Sequence, residues 1–427
     1  MLDTDTLTLV DAGGTPVPAE FQVLARWNAG REDTNVPIQW LLVSFPASVA
    51  ANGSTTYRLV TDGSAGPNPT PPVTVSVIQD GNQITVNTGA ATFRLGGDPG
   101  ALFDEIRLAD GTLLVSGGAL MARVVDAQTS EVLETSEVFA RRVTIEHAGP
   151  LTAIVVVEGA YDLAPVGGGG LSSFRRYVFT AGSPTAIVRH AVNWEGDRCS
   201  VNGWDLTCDA DGDGDLDVNG LRIEQVRDAL TIDLSPPLLV MAVGDFEAAA
   251  VQGDIAAGQS AWVRQRLRDR RTAPLAFDVN VAGRTASGAQ ADGGMLSVSG
   301  TAGALAIALN HMHRYEPQAL RLLDDGRLAV DVADDQVWLG QRQGLFATLA
   351  ISALPTGPSR GELDRLLWAP LNHPLRAWSE PAWLAASDAV DEFPVGLLPQ
   401  TWPITTRWWH RCSPALSRKW MRRGWPG

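Results

Sequence analysis

Short runs of alternating apolar and polar residues, separated by turn residues, fill the first 350 positions of the chain. FQVLARW at 21–27 and ATFRL at 91–95 are two of these runs. Successive side chains of a strand point to opposite faces, so each run predicts a half-buried β-strand. The 43 glycines and 26 prolines supply the turns that many short strands require. Long helical periodicity is absent before about residue 360, so the sequence predicts an all-β body.

The length of 427 residues allows two or three domains, and a hydrophobic content of 45% allows a sizeable core. We predict a mainly β fold with an N-terminal β-barrel, a large β-sandwich and a short α-helical C-terminal remnant. The predicted domains are residues 1–90, 91–358 and 359–427. The last of these is a linker followed by the start of a truncated α/α domain.

The net charge of −15 argues against nucleic acid and against an anionic membrane surface as partners. No run of 18 apolar residues is present, so no membrane-spanning helix is expected. The first residues carry no basic and apolar leader, which leaves a mature form, a fragment or a missed start as interpretations. The last 22 residues hold six Lys or Arg and no acid. They are interpreted as a docking tail, a shifted reading frame or the start of a further domain.

The most specific motif is the segment DADGDGDLD at 209–217. Its acids at loop positions 1, 3 and 5, Gly214 at position 6 and Leu216 at position 8 have the spacing of a calcium loop. Position 12 is Gly220 instead of the usual bidentate acid, so a solvated acidic turn is the alternative. We predict a structural Ca²⁺ and an extracytoplasmic or secreted setting. The expected ligands lie in the loop 209–220 and are Asp209, Asp211, Asp213, Asp215 and Asp217.

Two of the three cysteines, Cys199 and Cys208, directly precede this loop. A disulfide between them would close a short loop at the entry of the calcium site. Two free thiols are the alternative. No further Cys or His lies at ligand spacing from them, so a Cys/His metal site is not expected.

Five further segments are distinctive. They are PVPAEFQVLARW at 16–27, PIQWLLVSFP at 37–46, ITVNTGAATF at 84–93, RRYVFTAGSP at 175–184 and HMHRYEPQAL at 311–320. Together they resemble the exo-rhamnogalacturonan lyase/YetA-like family. The first three resemble its N-terminal barrel, which is of RIFT type, and the last two resemble its central β-sandwich. Residues 372–383 resemble the linker into its α/α toroid, which is essentially missing here. The family's Tyr-Pro-Lys-like element also differs, because Glu316 is inserted and Gln318 replaces the lysine.

The resemblance implies β-elimination on a uronate polysaccharide such as rhamnogalacturonan. That reaction needs a base for the C5 proton, a cation for the carboxylate and an acid for the leaving oxygen O4. The chain has six histidines and four tyrosines, and only one segment groups them densely. The candidate catalytic residues there are His311, His313, Arg314 and Tyr315. On a strand, the two histidines and Tyr315 would share one face. The alternative is a domain interface with local hydrogen bonds.

Candidate substrate-binding residues are Arg175, Arg176, Tyr177 and His190, because guanidinium groups bind carboxylates bidentately. A solvated sheet face is the alternative for the first three, and a polar strand end for His190. Trp27 and Trp40 are candidates for stacking on sugar rings, with core packing as the alternative.

Two functional hypotheses therefore follow. The first is a rhamnogalacturonan lyase-like protein, active or an inactive fragment. The second is a non-catalytic extracellular carbohydrate-binding or cell-surface β protein with a structural calcium. Both predict a polysaccharide or uronate oligosaccharide as partner.

Overall fold

The computed structural model describes most of the chain up to residue 375. The described residues are 2–50, 53–98, 100–125, 132–135, 138–161, 171–194, 207–208, 217–218, 221–245, 248, 250–266, 277–288, 291, 293–335, 337–339, 343–372 and 374–375. They divide into two compact units. Among the described residues, one unit contains those of 3–22 and 42–375, and the other contains Leu2 and residues 23–41.

The structure is mainly β, as predicted. The strands of the N-terminal part are β1 (Thr8–Val10), β2 (Pro16–Val17), β3 (Glu20–Arg26), β4 (Ile38–Ser44), β5 (Arg58–Val60), β6 (Ser76–Asp80), β7 (Gln83–Asn87), β8 (Ala91–Leu95) and β9 (Glu105–Leu108). Those of the middle part are β10 (Leu113–Val125), β11 (Val132–Thr135), β12 (Val138–Ala148), β13 (Thr152–Tyr161), β14 (Leu171–Thr180), β15 (Thr185–Trp194), β16 (Thr207–Cys208), β17 (Asp217–Val218), β18 (Leu221–Ile232), β19 (Leu238–Val243), β20 (Val251–Ile255) and β21 (Ala261–Gln265). The last group is β22 (Phe277–Val281), β23 (Arg284–Gly288), β24 (Gly293–Gly300), β25 (Gly303–Asn310), β26 (Gln318–Leu322), β27 (Leu328–Ala333), β28 (Val337–Leu339) and β29 (Gly344–Leu354).

Two large sheets dominate the first unit. One has thirteen strands, in the order β23-β22-β21-β26-β27-β18-β10-β9-β8-β7-β6, with β11 beside β10 and β28 beside β18. The other has nine strands, in the order β12-β13-β14-β15-β29-β25-β24-β19-β20. The strand pairs described within both sheets are antiparallel, as expected for a sandwich with short connections.

The main core is formed by inward-facing side chains of both sheets. Val86 and Phe93 from the larger sheet and Val188 and Ile307 from the smaller one belong to the same buried cluster. Phe93 also packs on Phe179, with ring centroids 5.2 Å apart. Each fully buried side chain of this size contributes about 1.5–3 kcal/mol of transfer free energy, so this cluster is the main source of stability.

The N-terminal strands form two smaller sheets. Strands β2, β1 and β5 form a three-stranded sheet, and β3 pairs with β4. The barrel predicted for residues 1–90 stays a prediction. Its boundary at residues 90 and 91 falls between β7 and β8, which pair with each other in the thirteen-stranded sheet. Hydrogen bonding therefore continues across the predicted domain boundary.

A short helical segment of 13 residues follows the last strand. It consists of α1 (Arg360–Leu363), a π-helical turn (Asp364–Trp368) and α2 (Ala369–Asn372). Ser359 begins it with a capping box, in which its side chain accepts from the Glu362 N–H and its own N–H donates to the Glu362 carboxylate. Leu363, Leu367 and Trp368 pack with Ala306 and Ala308 of β25 in a second buried cluster. Within the described part of the chain, no helix is long and apolar enough to span a bilayer.

Candidate functional site

The four predicted catalytic residues lie on a turn directly after β25. Strand β25 ends at Asn310, and a 3-10 turn (Met312–Arg314) follows. His311 makes the bend with a left-handed backbone, at φ 46°, which is uncommon for a residue other than glycine. These residues therefore do not lie on a strand, and the common face that a strand would give the two histidines and Tyr315 is not formed.

Met312 anchors this turn in the core. Its side chain is fully buried and lies against Gly294 of β24, where an added Cβ would meet the Met312 sulfur at 2.5 Å. The apolar residue in the middle of the motif therefore points inward, while its polar neighbours remain nearer the surface.

His313 is held in a defined orientation. Its Nδ1 lies 3.0 Å from the Ala291 carbonyl oxygen, which also accepts the His313 backbone N–H at 3.1 Å. A carbonyl oxygen can only accept, so Nδ1 carries the proton. In the neutral imidazole the lone pair is then on Nε2, which is the form that a general base requires.

The other predicted catalytic residues are neighbours of His313 in the same turn. The His311 and His313 rings are 6.0 Å apart and nearly perpendicular. Arg314 is exposed, and Tyr315 is 47% exposed. The turn thus combines imidazole groups, a guanidinium and a phenol, which together can take a proton, neutralise a carboxylate and return a proton.

Gln318 is fully buried. It stands where the family that the chain resembles has a lysine. Its Nε2 donates to the Phe346 carbonyl oxygen at 3.1 Å. This position therefore supports the strand that follows the turn.

Three of the four predicted substrate-binding residues lie inside the sandwich. Arg175, Tyr177 and His190 are at most 1% exposed, and Arg175 faces His190 directly across β14 and β15. Arg175 donates to the Ala101 carbonyl oxygen, and Tyr177 donates to that of Leu102 at 2.7 Å. In this position their partners are protein groups, so a substrate-binding role for them stays a prediction.

Burial has a clear electrostatic effect on Tyr177. It raises the pKa of this phenol to about 12, because the charged form loses its hydration inside the sandwich. Tyr177 is therefore neutral at physiological pH and acts as a hydrogen-bond donor.

Arg176 points to the opposite face of β14. Its Nε donates to the Glu146 carboxylate at 2.6 Å, and the two side chains are 29% and 40% exposed. This is a surface ion pair of modest strength. Arg176 and the three buried residues therefore do not form one site.

The structure brings His190 together with two residues that the sequence analysis did not select. His190 Nδ1 lies 2.8 Å from the Asp228 carboxylate, and its Nε2 lies 3.1 Å from the Ser173 hydroxyl. A serine, a histidine and a carboxylate in this order have the arrangement of a catalytic triad, but all three side chains are buried between the sheets. In the sequence, the signal that could have identified this cluster is the presence of polar residues at core-facing positions of otherwise apolar strands. We call these three residues, with Arg175, the inner cluster.

The predicted calcium ligands and the predicted disulfide fall largely outside the described residues. Residues 209–216 and Cys199 are among those not described. The backbone on either side of the loop is described, and Cys208 of β16 pairs with Asp217 of β17. Among the described residues, no group of three or more metal-binding side chains is found. Calcium and the disulfide therefore stay predictions.

Trp27 and Trp40 lie on the β3–β4 hairpin and are 36% and 47% exposed. Both side chains are therefore too exposed for the core packing that was the alternative prediction for them. Arg26 stabilises the hairpin by donating to the Val36 carbonyl oxygen at 2.7 Å and to that of Arg31 at 2.8 Å.

Comparison with solved structures finds distant similarity. A protein in the glycosyl hydrolase family 38 from Enterococcus faecalis is 10% identical, with a TM-score of 0.44 over 83% of this chain and 39% of that one. An α-mannosidase from Enterococcus faecalis V583 is 10% identical, with a TM-score of 0.46 over 83% and 38%. A putative aldose 1-epimerase from Klebsiella pneumoniae is 9% identical, with a TM-score of 0.35 over 71% and 91%. The chain thus spans less than two fifths of the length of the first two proteins.

The sequence comparisons are more specific. No curated protein matches the chain significantly. Residues 75–213 match the family model described as the PcRGLX-like protein central beta sandwich domain. The matched segment contains strands β6 to β16, including Arg175, Tyr177 and His190. The match supports the resemblance to rhamnogalacturonan lyase-like proteins and indicates a carbohydrate-active protein.

Proposed function

We propose that the chain is a polysaccharide lyase-like protein that cleaves rhamnogalacturonan or a related uronate polysaccharide by β-elimination. The observation that carries this proposal is the turn after β25. There His313 has its Nδ1 proton on the Ala291 carbonyl oxygen, and Arg314 and Tyr315 are exposed beside it. The match of residues 75–213 to a central sandwich domain supports the carbohydrate class.

In this mechanism His313 takes the proton from C5 of the uronate, with His311 as the second candidate base. The electron pair of the broken C5–H bond forms the C4=C5 double bond, and the C4–O4 bond breaks. Arg314 neutralises the carboxylate and so stabilises the negative charge that develops at C5. Tyr315 gives its proton to O4, and solvent later restores both protonation states.

The test is the absorbance of the unsaturated uronate product during incubation with rhamnogalacturonan and other uronate polymers. His313→Gln, Arg314→Gln and Tyr315→Phe should each lower kcat by about 100-fold or more, which is the usual contribution of a positioned acid or base. Their melting temperatures should stay near that of the unchanged protein, because Arg314 and Tyr315 are exposed.

Matched controls are Tyr57→Phe and Arg58→Gln. Tyr57 is half-buried and Arg58 is exposed, and both lie near β5, away from the turn in sequence. These two variants should retain full activity. Equal losses in the controls and in the turn variants would contradict the assignment of the turn residues.

The second candidate function is a non-catalytic carbohydrate-binding protein. Exposed Trp27 and Trp40 favour it, because indole rings provide flat apolar surfaces for sugar rings. If the protein produces no ultraviolet-absorbing product from any uronate polymer but binds one of them, this function replaces the lyase. An extracytoplasmic location and a structural Ca²⁺ in the loop 209–220 are part of both proposals.

A further inference from the structure

The face of the thirteen-stranded sheet that points away from the core carries polar side chains in regular rows. Leu328, Val330 and Val332 of β27 belong to the main core. Ala329 and Asp331 lie between them in sequence and therefore point to the opposite face. We call this the outer face.

Strand register aligns the outer-face residues across five neighbouring strands, β22, β21, β26, β27 and β18. They form two rows, and in each row every residue is the direct cross-strand neighbour of the next one. The first row is Asp278, Arg264, Ala319, Asp331 and Arg227, and the second is Asn280, Trp262, Arg321, Ala329 and Ala229.

The first ion network of this face is centred on Asp331. Arg227 donates to its two carboxylate oxygens, from Nε at 2.6 Å and from Nη2 at 2.9 Å. Arg321 donates from Nε to Asp331 at 2.7 Å and from Nη2 to Asp334 at 2.6 Å. Both carboxylates are almost fully buried, while Arg227 and Arg321 are 16% and 19% exposed.

The second network is centred on Asp278. Trp262 donates its indole N–H to this carboxylate at 2.6 Å, and Arg266 donates at 2.9 Å. Arg264 adds two hydrogen bonds of 3.2 Å. Burial opposes ionisation of Asp278, but these donors outweigh it and lower its pKa. The carboxylate is therefore charged and fixed at physiological pH.

The arginines keep unused donors after these carboxylates are satisfied. Within the described part of the chain, the Nη1 groups of Arg227, Arg264 and Arg321 make no hydrogen bond. These three side chains are 16%, 30% and 19% exposed, so part of each one reaches solvent. Four arginines and three aspartates leave one positive charge here, in a chain whose net charge is −15.

We propose that the outer face is a binding site for a glycan that carries a carboxylate, with Arg264 and Arg321 as its anion-binding groups and Trp262 as its sugar contact. Guanidinium N–H groups bind carboxylates with charge-assisted hydrogen bonds. Their orientation is fixed beforehand by Asp278, Asp331 and Asp334, so little conformational entropy is lost on binding. The class of glycan rests on the proposed function, but the site itself does not require the elimination reaction.

Asp334 makes the site sensitive to pH. Burial and the charge of Asp331 raise the pKa of Asp334 to about 6. The charged groups that face it are Arg321 of β26 and Asp331 of β27. Protonation below that pH removes a negative charge beside Arg321, so binding of a carboxylate should become stronger between pH 7 and pH 5.

The test is calorimetric titration with a galacturonic acid trisaccharide and with its methyl-esterified form. The acid form should bind, and esterification should weaken binding by about tenfold, because a charged hydrogen bond is lost. Arg264→Gln and Arg321→Lys should each cause a loss of similar size. Arg321→Lys retains the positive charge for Asp331 and Asp334, and thermal melting checks that both variants are folded.

The matched control is Arg107→Lys. Arg107 holds Glu105 through two hydrogen bonds of 2.7 and 2.9 Å. It lies on β9, four strands from β26 in the same sheet, roughly 19 Å away. This variant should bind the trisaccharide as the unchanged protein does.

Three results would overturn the proposal. They are equal affinity for the acid and the ester, unchanged binding by folded Arg264→Gln and Arg321→Lys proteins, or acetate alone binding as tightly as the trisaccharide. Carboxylate-dependent binding without any unsaturated product would reject the lyase and retain this site. If the two arginine variants form product at the unchanged rate and no trisaccharide binding is measured, this site is rejected and the lyase proposal is retained.

Discussion

Arg227 and Asp228 are consecutive residues of β18, yet they belong to two different polar clusters. Asp228 points into the sandwich and binds His190 at 2.8 Å, with both side chains fully buried. Arg227 points outward and binds Asp331, and its own side chain is 16% exposed. Both aspartates accept hydrogen bonds from nitrogen atoms, but the two clusters differ in whether the side chain that binds the carboxylate is partly exposed to water.

This difference separates a structural role from a binding role. The inner cluster connects β14 and β15 of one sheet to β18 of the other, so its groups are used to hold the sandwich. Burial raises the pKa of nearby Tyr161 and keeps that phenol neutral. The outer face uses its carboxylates to orient arginines whose remaining N–H groups are available to a ligand.

The largest expected effect comes from removing Asp228. Asp228→Ala leaves His190 and its neighbours without a carboxylate inside the sandwich, and breaking a buried pair in this way costs about 3–5 kcal/mol. Urea unfolding measures the loss. Asp228→Asn retains the size and one acceptor and should cost clearly less. An Asp228→Ala protein as stable as the unchanged one would end the structural interpretation of the inner cluster.

Asp331→Asn on the outer face should cost less, about 2 kcal/mol. The reason is that Arg227 and Arg321 are partly exposed and can rehydrate when the carboxylate charge is lost. Urea unfolding of both aspartate variants under one set of conditions gives the comparison directly. A larger loss for Asp331→Asn than for Asp228→Ala would reverse the assigned order of the two clusters.

The pH dependence of stability tests whether Asp334, at the outer face, titrates with a raised pKa. Asp334 has a folded-state pKa of about 6 against an ordinary value of 3.8. The folded state therefore binds more protons between these values, and this contribution to stability is present below pH 4 and lost as pH rises through 6. In the Asp334→Asn protein, stability should fall less between pH 4 and pH 6.

Asp325→Asn is the control for this measurement. The hydrogen bond from Arg327 lowers the pKa of Asp325, so its contribution is present above the ordinary value and lost as pH falls. The Asp325→Asn protein should show the slope of the unchanged protein between pH 4 and pH 6. Identical slopes for Asp334→Asn and the unchanged protein would remove Asp334 as the titrating group.

The smallest expected effect concerns the acidic loop, which lies in the connection between β15 and β18, the strands that carry His190 and Asp228. If Ca²⁺ binds there, it restrains the connection between the two strands that carry the inner cluster. EDTA should then lower the melting temperature by about 1 °C, equivalent to about 1 kcal/mol in a chain of 427 residues. Added Ca²⁺ should restore it in the unchanged protein and not in Asp213→Asn. A melting temperature that ignores EDTA would remove calcium from the proposal.

Much of the β architecture was predictable from alternation. The runs at 84–87 and 91–95 correspond to β7 and β8, because apolar residues at every second position indicate one buried face. The continuous apolar run at 305–309 corresponds to β25, which is buried on both faces. Strand β18 was predicted only near its end, at 230–234, although it begins at Leu221. Its centre carries Glu224, Arg227 and Asp228, and these charges conceal a strand that is polar on one face and has an acid on the other.

The site residues show the same contrast. The sequence identified the His–Arg–Tyr group at 311–315 by its composition, but it did not indicate the turn in which Met312 points into the core. Arg175, Tyr177 and His190 were identified as polar residues suited to a ligand, and the structure places them at inward positions. Residue type alone does not report which face of a strand a sheet covers.

By itself, the sequence determined the β class, the turn-rich body, the short helical segment and the resemblance to a carbohydrate-active family, because these depend on local periodicity and short motifs. Only the tertiary structure decided that Arg227 and Asp228 serve opposite faces, and that Asp331 meets arginines from two other positions of the chain. Strand register and sheet packing join residues about 100 positions apart, such as Arg227 and Asp331. No local pattern carries that information, because the free energy of a buried charge depends on partners that only the folded chain supplies.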